Sequence, residues 1–189
     1  MQTITAPSPA QDFTMLHAAM GSVNELHGVL SEQEITDLLE DMSAQMLSND
    51  VLNNLAGLTE REQDALYLKA NGLYRQGDYL KAMKLFTVLL REDLAESRYF
   101  KGLAGCYQML SEHGKAAAYH GLAYYLDLRD PSPIFHIGQC LLAEGKKREA
   151  IEAFQMFIDE AKNVSSCRPM RQHAQELMAA VSQLSKREK

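Results

Sequence analysis

The sequence predicts an all-α protein: three tandem helical hairpins forming a right-handed α-solenoid, with a helical extension before them and a capping helix after them. Three observations predict it. Residues of matching type recur at a spacing of 34 positions. The chain is rich in Leu, Ala, Glu, Lys, Gln and Met, which favour helix, and its 189 residues include only 5 Pro and 11 Gly. Turn residues fall at the same period as the apolar ones, at Gly77, Ser111 and Gly145.

The period holds at many positions. Ala70, Ala104 and Gly138 align, as do Ala82, Ala116 and Ala150. So do Leu66, Phe100 and Ile134, and Leu73, Tyr107 and Leu141. Further along each unit come Phe86, His120 and Phe154, then Leu89, Ala123 and Phe157. A small residue on the first helix of a hairpin lets the second approach, and large residues at helical spacing form the stripe between them. One hairpin cannot bury its own apolar face, whereas a stack of three can. The units fall at about 63–96, 97–130 and 131–162, within an array over 59–162. Gly77-Asp78-Tyr79 and Gly145-Lys146-Lys147 are the expected turns inside the first and third hairpins. Unit two departs from the pattern: Ser111-Glu112-His113-Gly114 has no glycine at the turn position, and His120 replaces a large apolar residue. Asp130-Pro131 ends that unit, and Pro131 and Pro133 open the next.

Residues 1–11 are expected to be disordered. An extension over 12–58 then carries two amphipathic stripes. The first holds Phe13, Leu16, Met20, Val23 and Leu30; the second holds Ile35, Leu38, Leu39, Met42 and Met46, after a capping box at Ser31 to Glu34. These stripes either fold back on the solenoid or pair with another copy of the chain. The methionines suit an adaptable contact, and a homodimer through Leu16, Met20, Leu38, Leu39 and Met42 is the favoured expectation. Thr59 and Glu62 form a second capping box, opening the array. After a loop at Asn163 to Ser166, residues 163–189 read as a capping helix with Met170, Ala174, Leu177, Val181 and Leu184 on one face.

Charge and motifs narrow the function classes. A net charge of −6 gives no electrostatic basis for binding nucleic acid or an anionic membrane, and the basic tip Lys186 to Lys189 reads as a solvated terminus. Cys106, Cys140 and Cys167 are far apart and odd in number, which fits free thiols in a reducing cytosol. The first ten residues lack the basic and apolar regions of a signal peptide, and no run reaches the ~20 apolar residues of a membrane helix. The expected location is the cytoplasm, without membrane insertion. There is no glycine-rich phosphate loop, no GxSxG, no HExxH and no Cys/His zinc spacing. No enzyme activity, cofactor or metal is therefore expected. Cys106 and Cys140 occupy equivalent repeat positions, as packing residues would, and His113 and His136 fall near the expected groove without a second ligand at metal spacing.

In such a stack the first helices line a concave face, and residues at i, i+4 and i+7 share it. The stripe beside the core stripe is Tyr67, Asn71 and Tyr74 in unit one, Lys101, Gly105 and Gln108 in unit two, and Phe135, Gln139 and Leu142 in unit three. Tyr79 reaches the same groove from just after the first turn. Aromatic and apolar walls accept hydrophobic anchors, the amides can bond an extended backbone, Lys101 can meet a carbonyl or a carboxylate, and Gly105 leaves room for close approach.

The repeat units resemble the tetratricopeptide repeat. The stretch from Leu66-Tyr67 through Gly77-Asp78-Tyr79, then Ser97-Arg98-Tyr99-Phe100-Lys101-Gly102-Leu103, Asp127 to Pro131 with Phe135-His136, and Cys140-Leu141-Leu142 before Gly145, resembles a narrower group. These residues are similar to the class II chaperones of bacterial type III secretion systems, the SycD/LcrH-like translocator chaperones, over residues of about 60 to 160. The resemblance implies a cytoplasmic chaperone without ATPase activity. Its partners would be hydrophobic, pore-forming translocator proteins, held by an extended segment of the Pro-x-Leu-x-x-Pro type and kept soluble and apart before export. It implies aromatic groove positions at Tyr67, Tyr74 and Tyr79, whereas Asn71 stands where an aromatic residue is common. The N-terminal extension is longer than the resemblance leads one to expect. An alternative open to the same groove is a scaffold or regulatory adaptor that binds a peptide of a soluble partner.

Overall fold

Thr59 stops the chain from entering a helix too early. Its hydroxyl accepts from the Glu62 backbone N–H while the Glu62 carboxylate accepts from the Thr59 N–H at 2.8 Å. This is the capping box expected from the sequence, and it opens α1 (Glu60–Arg75). The computed structural model describes residues 57–187, and every regular element among them is a helix. Helix α2 spans Tyr79–Glu92, α3 Ser97–Met109, α4 His113–Leu126, α5 Ser132–Ala143 and α6 Lys147–Glu160. Two 3-10 turns, Ala161–Asn163 and Ser165–Cys167, lead into α7 (Arg168–Arg187). The start expected to be disordered and the N-terminal extension, with Leu16, Met20, Leu38, Leu39 and Met42, lie outside the described residues, apart from Gly57 and Leu58. Those two donate their N–H groups to the Glu92 carboxylate, tying the approach to α1 to the end of α2.

The three hairpin turns are built alike. In each, the first residue past the cap has a left-handed backbone: Gly77 at φ 83°, Ser111 at φ 64° and Gly145 at φ 77°. Each also closes the helix with two reversed bonds. Gly77 and Asp78 donate to Tyr74 and Leu73, Ser111 and Glu112 to Gln108 and Tyr107, and Gly145 and Lys146 to Leu142 and Leu141. This Schellman arrangement satisfies carbonyls that the helix end would leave unpaired. Ser111 therefore performs a glycine's task with a side chain attached.

Packing runs between neighbours in the chain. Each helix rests chiefly on the one before it and the one after it, with further contact between α1 and α3 and between α5 and α7. The small residues predicted to allow close approach are fully buried: Ala70, Ala82, Ala104, Ala116 and Ala150. At Gly138 a Cβ would lie 2.6 Å from the ring of Phe154, so this hairpin closes only because the position is glycine. Phe86, Phe100, Phe154 and Phe157 are buried to 1% exposure or less, each contributing about 1.5–3 kcal/mol of transfer free energy. Helix α4, in the middle, is buried without a break from Ala116 to Tyr124, because it has neighbours on both sides. In α1, by contrast, only Ala70 is fully buried. At the far end α7 covers the last hairpin with Ala174 and Val181, joined by Met170, Leu177 and Met178.

Candidate functional site

The repeat places α1 and α3 side by side, and their helical spacing turns two stripes toward one space. Tyr67, Asn71 and Tyr74 of α1 face Lys101, Gly102, Gly105 and Gln108 of α3 around a cavity of about 210 Å³. Phe86 of α2, His120 of α4 and His136 of α5 complete its lining.

One wall is aromatic. Tyr67 meets Phe86 edge-on and Tyr99 at a tilt, both at 6.0 Å between centroids. The Arg98 guanidinium sits 5.0 Å above the Tyr67 ring, held there by Glu96 at 3.0 Å. Tyr74 packs edge-on against Tyr79 at 5.4 Å, and burial raises the Tyr74 phenol above its ordinary pKa. Gly105 leaves the cavity open on this side, since a Cβ there would touch the Tyr74 ring at 3.4 Å.

The other wall is polar. Lys101 bonds Asp130 at 2.8 Å. Burial alone would raise the Asp130 carboxyl, but hydrogen bonds from Lys101 and Ser132 outweigh it and hold the pKa below the usual carboxylate value. Gln108 Nε2 donates to Gln139 Oε1 at 3.4 Å, and His136 Nδ1 lies 3.0 Å from the same oxygen. His136 also stacks on His120, with centroids 4.9 Å apart and planes at 17°. His120 is 3% exposed, and neither of its ring nitrogens has a partner among the described residues. Burial, then the neighbouring His136 and Lys101, push its pKa well below the ordinary histidine value. Burial lowers the His136 pKa too, against an opposing contribution from its bond to Gln139.

Six of the residues expected in the groove therefore surround one cavity: Tyr67, Asn71, Tyr74, Lys101, Gly105 and Gln108. Tyr79 and Gln139 stand just behind, through Tyr74 and Gln108. Leu142 is half-buried against the core. Phe135 is not on this surface and is corrected to a packing residue. It is 4% exposed and lies among Phe154, Phe157 and His173, because α7 closes over the third hairpin. Three lining residues were not expected, Phe86, Gly102 and His120, and His136, expected near the groove, lines it as well. Gly102 and His136 stand 34 positions apart, one place beyond Lys101 and Phe135, so a groove stripe one residue wider would have included both.

Burial pushes the thiols of Cys106 and Cys140 up to about 12, so they stay protonated. Among the described residues no group of three or more His, Cys, Asp or Glu side chains could hold a metal ion. No described helix is long and apolar enough to cross a membrane.

Hairpins of this kind, stacked with a cavity between their first helices, define a helical-repeat protein. A family model described as tetratricopeptide repeat matches residues 64–93 and 134–163, in the first and third units. The chain is 32% identical over 122 residues to low calcium response locus protein H of Yersinia pestis, covering 63% of this chain and 73% of that protein. It is similar to PcrH of Pseudomonas aeruginosa in complex with the chaperone binding region of PopD, at 26% identity and TM-score 0.65, over 68% of this chain and 97% of that one. The fold also matches the Yersinia enterocolitica type III secretion chaperone SycD in complex with a peptide of the translocator YopD. There the identity is 24% and the TM-score 0.64, over 67% of this chain and 97% of that one. The chain belongs to the family of low calcium response locus protein H, the class II chaperones of type III secretion.

Proposed function

We propose that this chain is a non-catalytic cytoplasmic chaperone of a type III secretion system. It binds hydrophobic translocator proteins by an extended segment in the groove between α1, α3 and α5, and keeps them soluble and apart before export. The observation that carries the reading is the cavity itself, with the rings of Tyr67, Tyr74 and Phe86 on one side and Lys101 and Gln108 on the other. Such a lining takes apolar anchors and offers hydrogen bonds to the backbone between them. The relatives support the same use, since PcrH is seen with the chaperone binding region of PopD and SycD with a YopD peptide.

The segment is of the Pro-x-Leu-x-x-Pro type. Each buried Leu-sized anchor contributes about 1.5–3 kcal/mol before the cost of ordering the segment. Two or three anchors then give micromolar affinity for a short peptide, and tighter binding needs contacts beyond the groove. The N-terminal stripes, with Leu16, Met20, Leu38, Leu39 and Met42, serve homodimer formation in this reading.

Co-expression of the chain with candidate translocators tests the proposal. A translocator that is insoluble alone is expected to become soluble in a complex. Folded Tyr67→Ala and Tyr74→Ala variants are expected to lose that effect. If both variants solubilise the translocator as well as the unaltered chain, the groove is not the binding site. If every partner found is already soluble alone, the chain is an adaptor instead.

A further inference from the structure

The polar wall of the groove contains an arrangement that the aromatic wall does not require. Gln139 Oε1 accepts from Gln108 Nε2 at 3.4 Å and lies 3.0 Å from His136 Nδ1. An amide oxygen has no proton to donate, so Nδ1 carries the hydrogen and His136 is the Nδ1–H tautomer. Its Nε2 is then a bare lone pair, with no partner among the described residues. The ring is half-buried and lines the cavity.

The surroundings keep this ring neutral. On one face it stacks against His120, itself buried and without a hydrogen-bond partner among the described residues. Burial disfavours a positive charge on the His136 ring and outweighs the Gln139 bond and Asp130, between α4 and α5, whose carboxylate favours one while bonded to Lys101 and Ser132. Where His136 stands, the preceding unit has Gly102, and where His120 stands the units on either side have Phe86 and Phe154. An apolar pair would have filled the space. The imidazole pair instead places ring nitrogens among the side chains that line the groove.

We propose that His136 Nε2 is the acceptor of a polar subsite in the groove, one that selects a cargo side chain carrying an uncharged hydrogen-bond donor, a hydroxyl or a primary amide, alongside the apolar anchors. A carboxylate has only lone pairs to offer and would face another. An ammonium would approach Lys101. The inference rests on the peptide-binding reading above and specifies the chemistry of one position within it.

The test uses the full chain and fluorescein-labelled Pro-x-Leu-x-x-Pro peptides in which each x is in turn Ala, Ser or Asn, read by fluorescence anisotropy. At one position Ser and Asn are expected to bind roughly three- to tenfold tighter than Ala, the range for one net hydrogen bond. That ratio is expected to fall to about one in His136→Phe and to persist in His120→Phe. In a long-range proton–nitrogen spectrum of the unaltered protein, His136 is expected to show a bare Nε2. That resonance should move upfield with the Ser peptide and not with the Ala peptide. A preference that survives His136→Phe, equal binding at every position, or a proton on Nε2 in the free protein overturns the subsite and leaves the groove standing. Failure of all the peptides to bind overturns both.

Discussion

Phe86 of α2 lies so close to Gly102 of α3 that a Cβ at position 102 would fall 2.4 Å from the ring. The ring is 1% exposed and already meets Tyr67 edge-on, so it has little room to yield. Gly102→Ala is expected to destabilise the protein by about 1–3 kcal/mol through overpacking. Thermal unfolding followed by circular dichroism reads this as a drop of roughly 2–4 °C per kcal/mol for a chain of this size. Because Gly102 and Phe86 also line the groove, the same variant should bind cargo peptide more weakly at a temperature where it remains folded.

Ser111 offers the opposite experiment. Its φ of 64° is a conformation that costs a side chain about 1 kcal/mol relative to glycine. Ser111→Gly is expected to recover most of that and raise the midpoint of urea unfolding without changing its slope. Gly77→Ala and Gly145→Ala should lose a similar amount. A Ser111→Gly variant no more stable than the parent would show that the serine hydroxyl compensates at this turn.

The His120–His136 stack gives the protein an acid-sensitive centre. His120 must stay neutral in the fold, whereas in the unfolded chain it takes up a proton near pH 6.5. A pKa lowered by folding means that the unfolded state binds more protons as the pH falls. Stability is therefore full above about pH 6.5 and declines below it, down to the depressed folded-state value. Of the charged groups facing the pair, Lys101 acts with burial at His120, whereas Asp130, bonded to Lys101, opposes burial at His136. Midpoints measured at about pH 7.5 and 5.5 should differ less in His120→Phe than in the parent. An equal difference would place the acid sensitivity elsewhere.

The thiols predict a chemical outcome. Cys106 and Cys140 are fully buried, with pKa values pushed up to about 12, and Cys167 is 5% exposed. In the folded protein all three should resist a colorimetric disulfide reagent at neutral pH and react together once denaturant unfolds the chain. Rapid reaction of Cys106 or Cys140 without denaturant would mean that the hairpins open locally.

Much of this was legible in the sequence because its causes are local. A hairpin needs a small residue on one helix, an apolar stripe on each and a reversing residue between them, and those demands repeat wherever a hairpin repeats. Thr59 and Glu62 sit three residues apart and cap the same turn. Tyr67 and Lys101 were placed on the groove by spacing within one helix. The misplaced residue, Phe135, failed for a non-local reason. Its stripe is equivalent to that of Tyr67, but α7 returns to lay His173 against it, and no period encodes where a capping helix docks. Gly102 and His136 fell outside the expected stripe because the groove is one residue wider in units two and three than i, i+4 and i+7 spacing from Lys101 and Phe135 allows. The His120 stack depends on two units at once and is invisible in either alone.

Contacts that run from each helix to the next also set a timetable for synthesis. Each hairpin needs only the following one to cover it, and the delay between them is about 34 residues of translation, roughly two to seven seconds at ordinary elongation rates. The solenoid can thus be laid down vectorially, N-terminus first, with no early strand waiting for a distant partner. The last step is the exception. A chain cut short before Arg168 would keep Phe135 on Phe154 and Phe157 but lose its cover from His173, and that uncovered edge marks the chain as unfinished to cellular proteases.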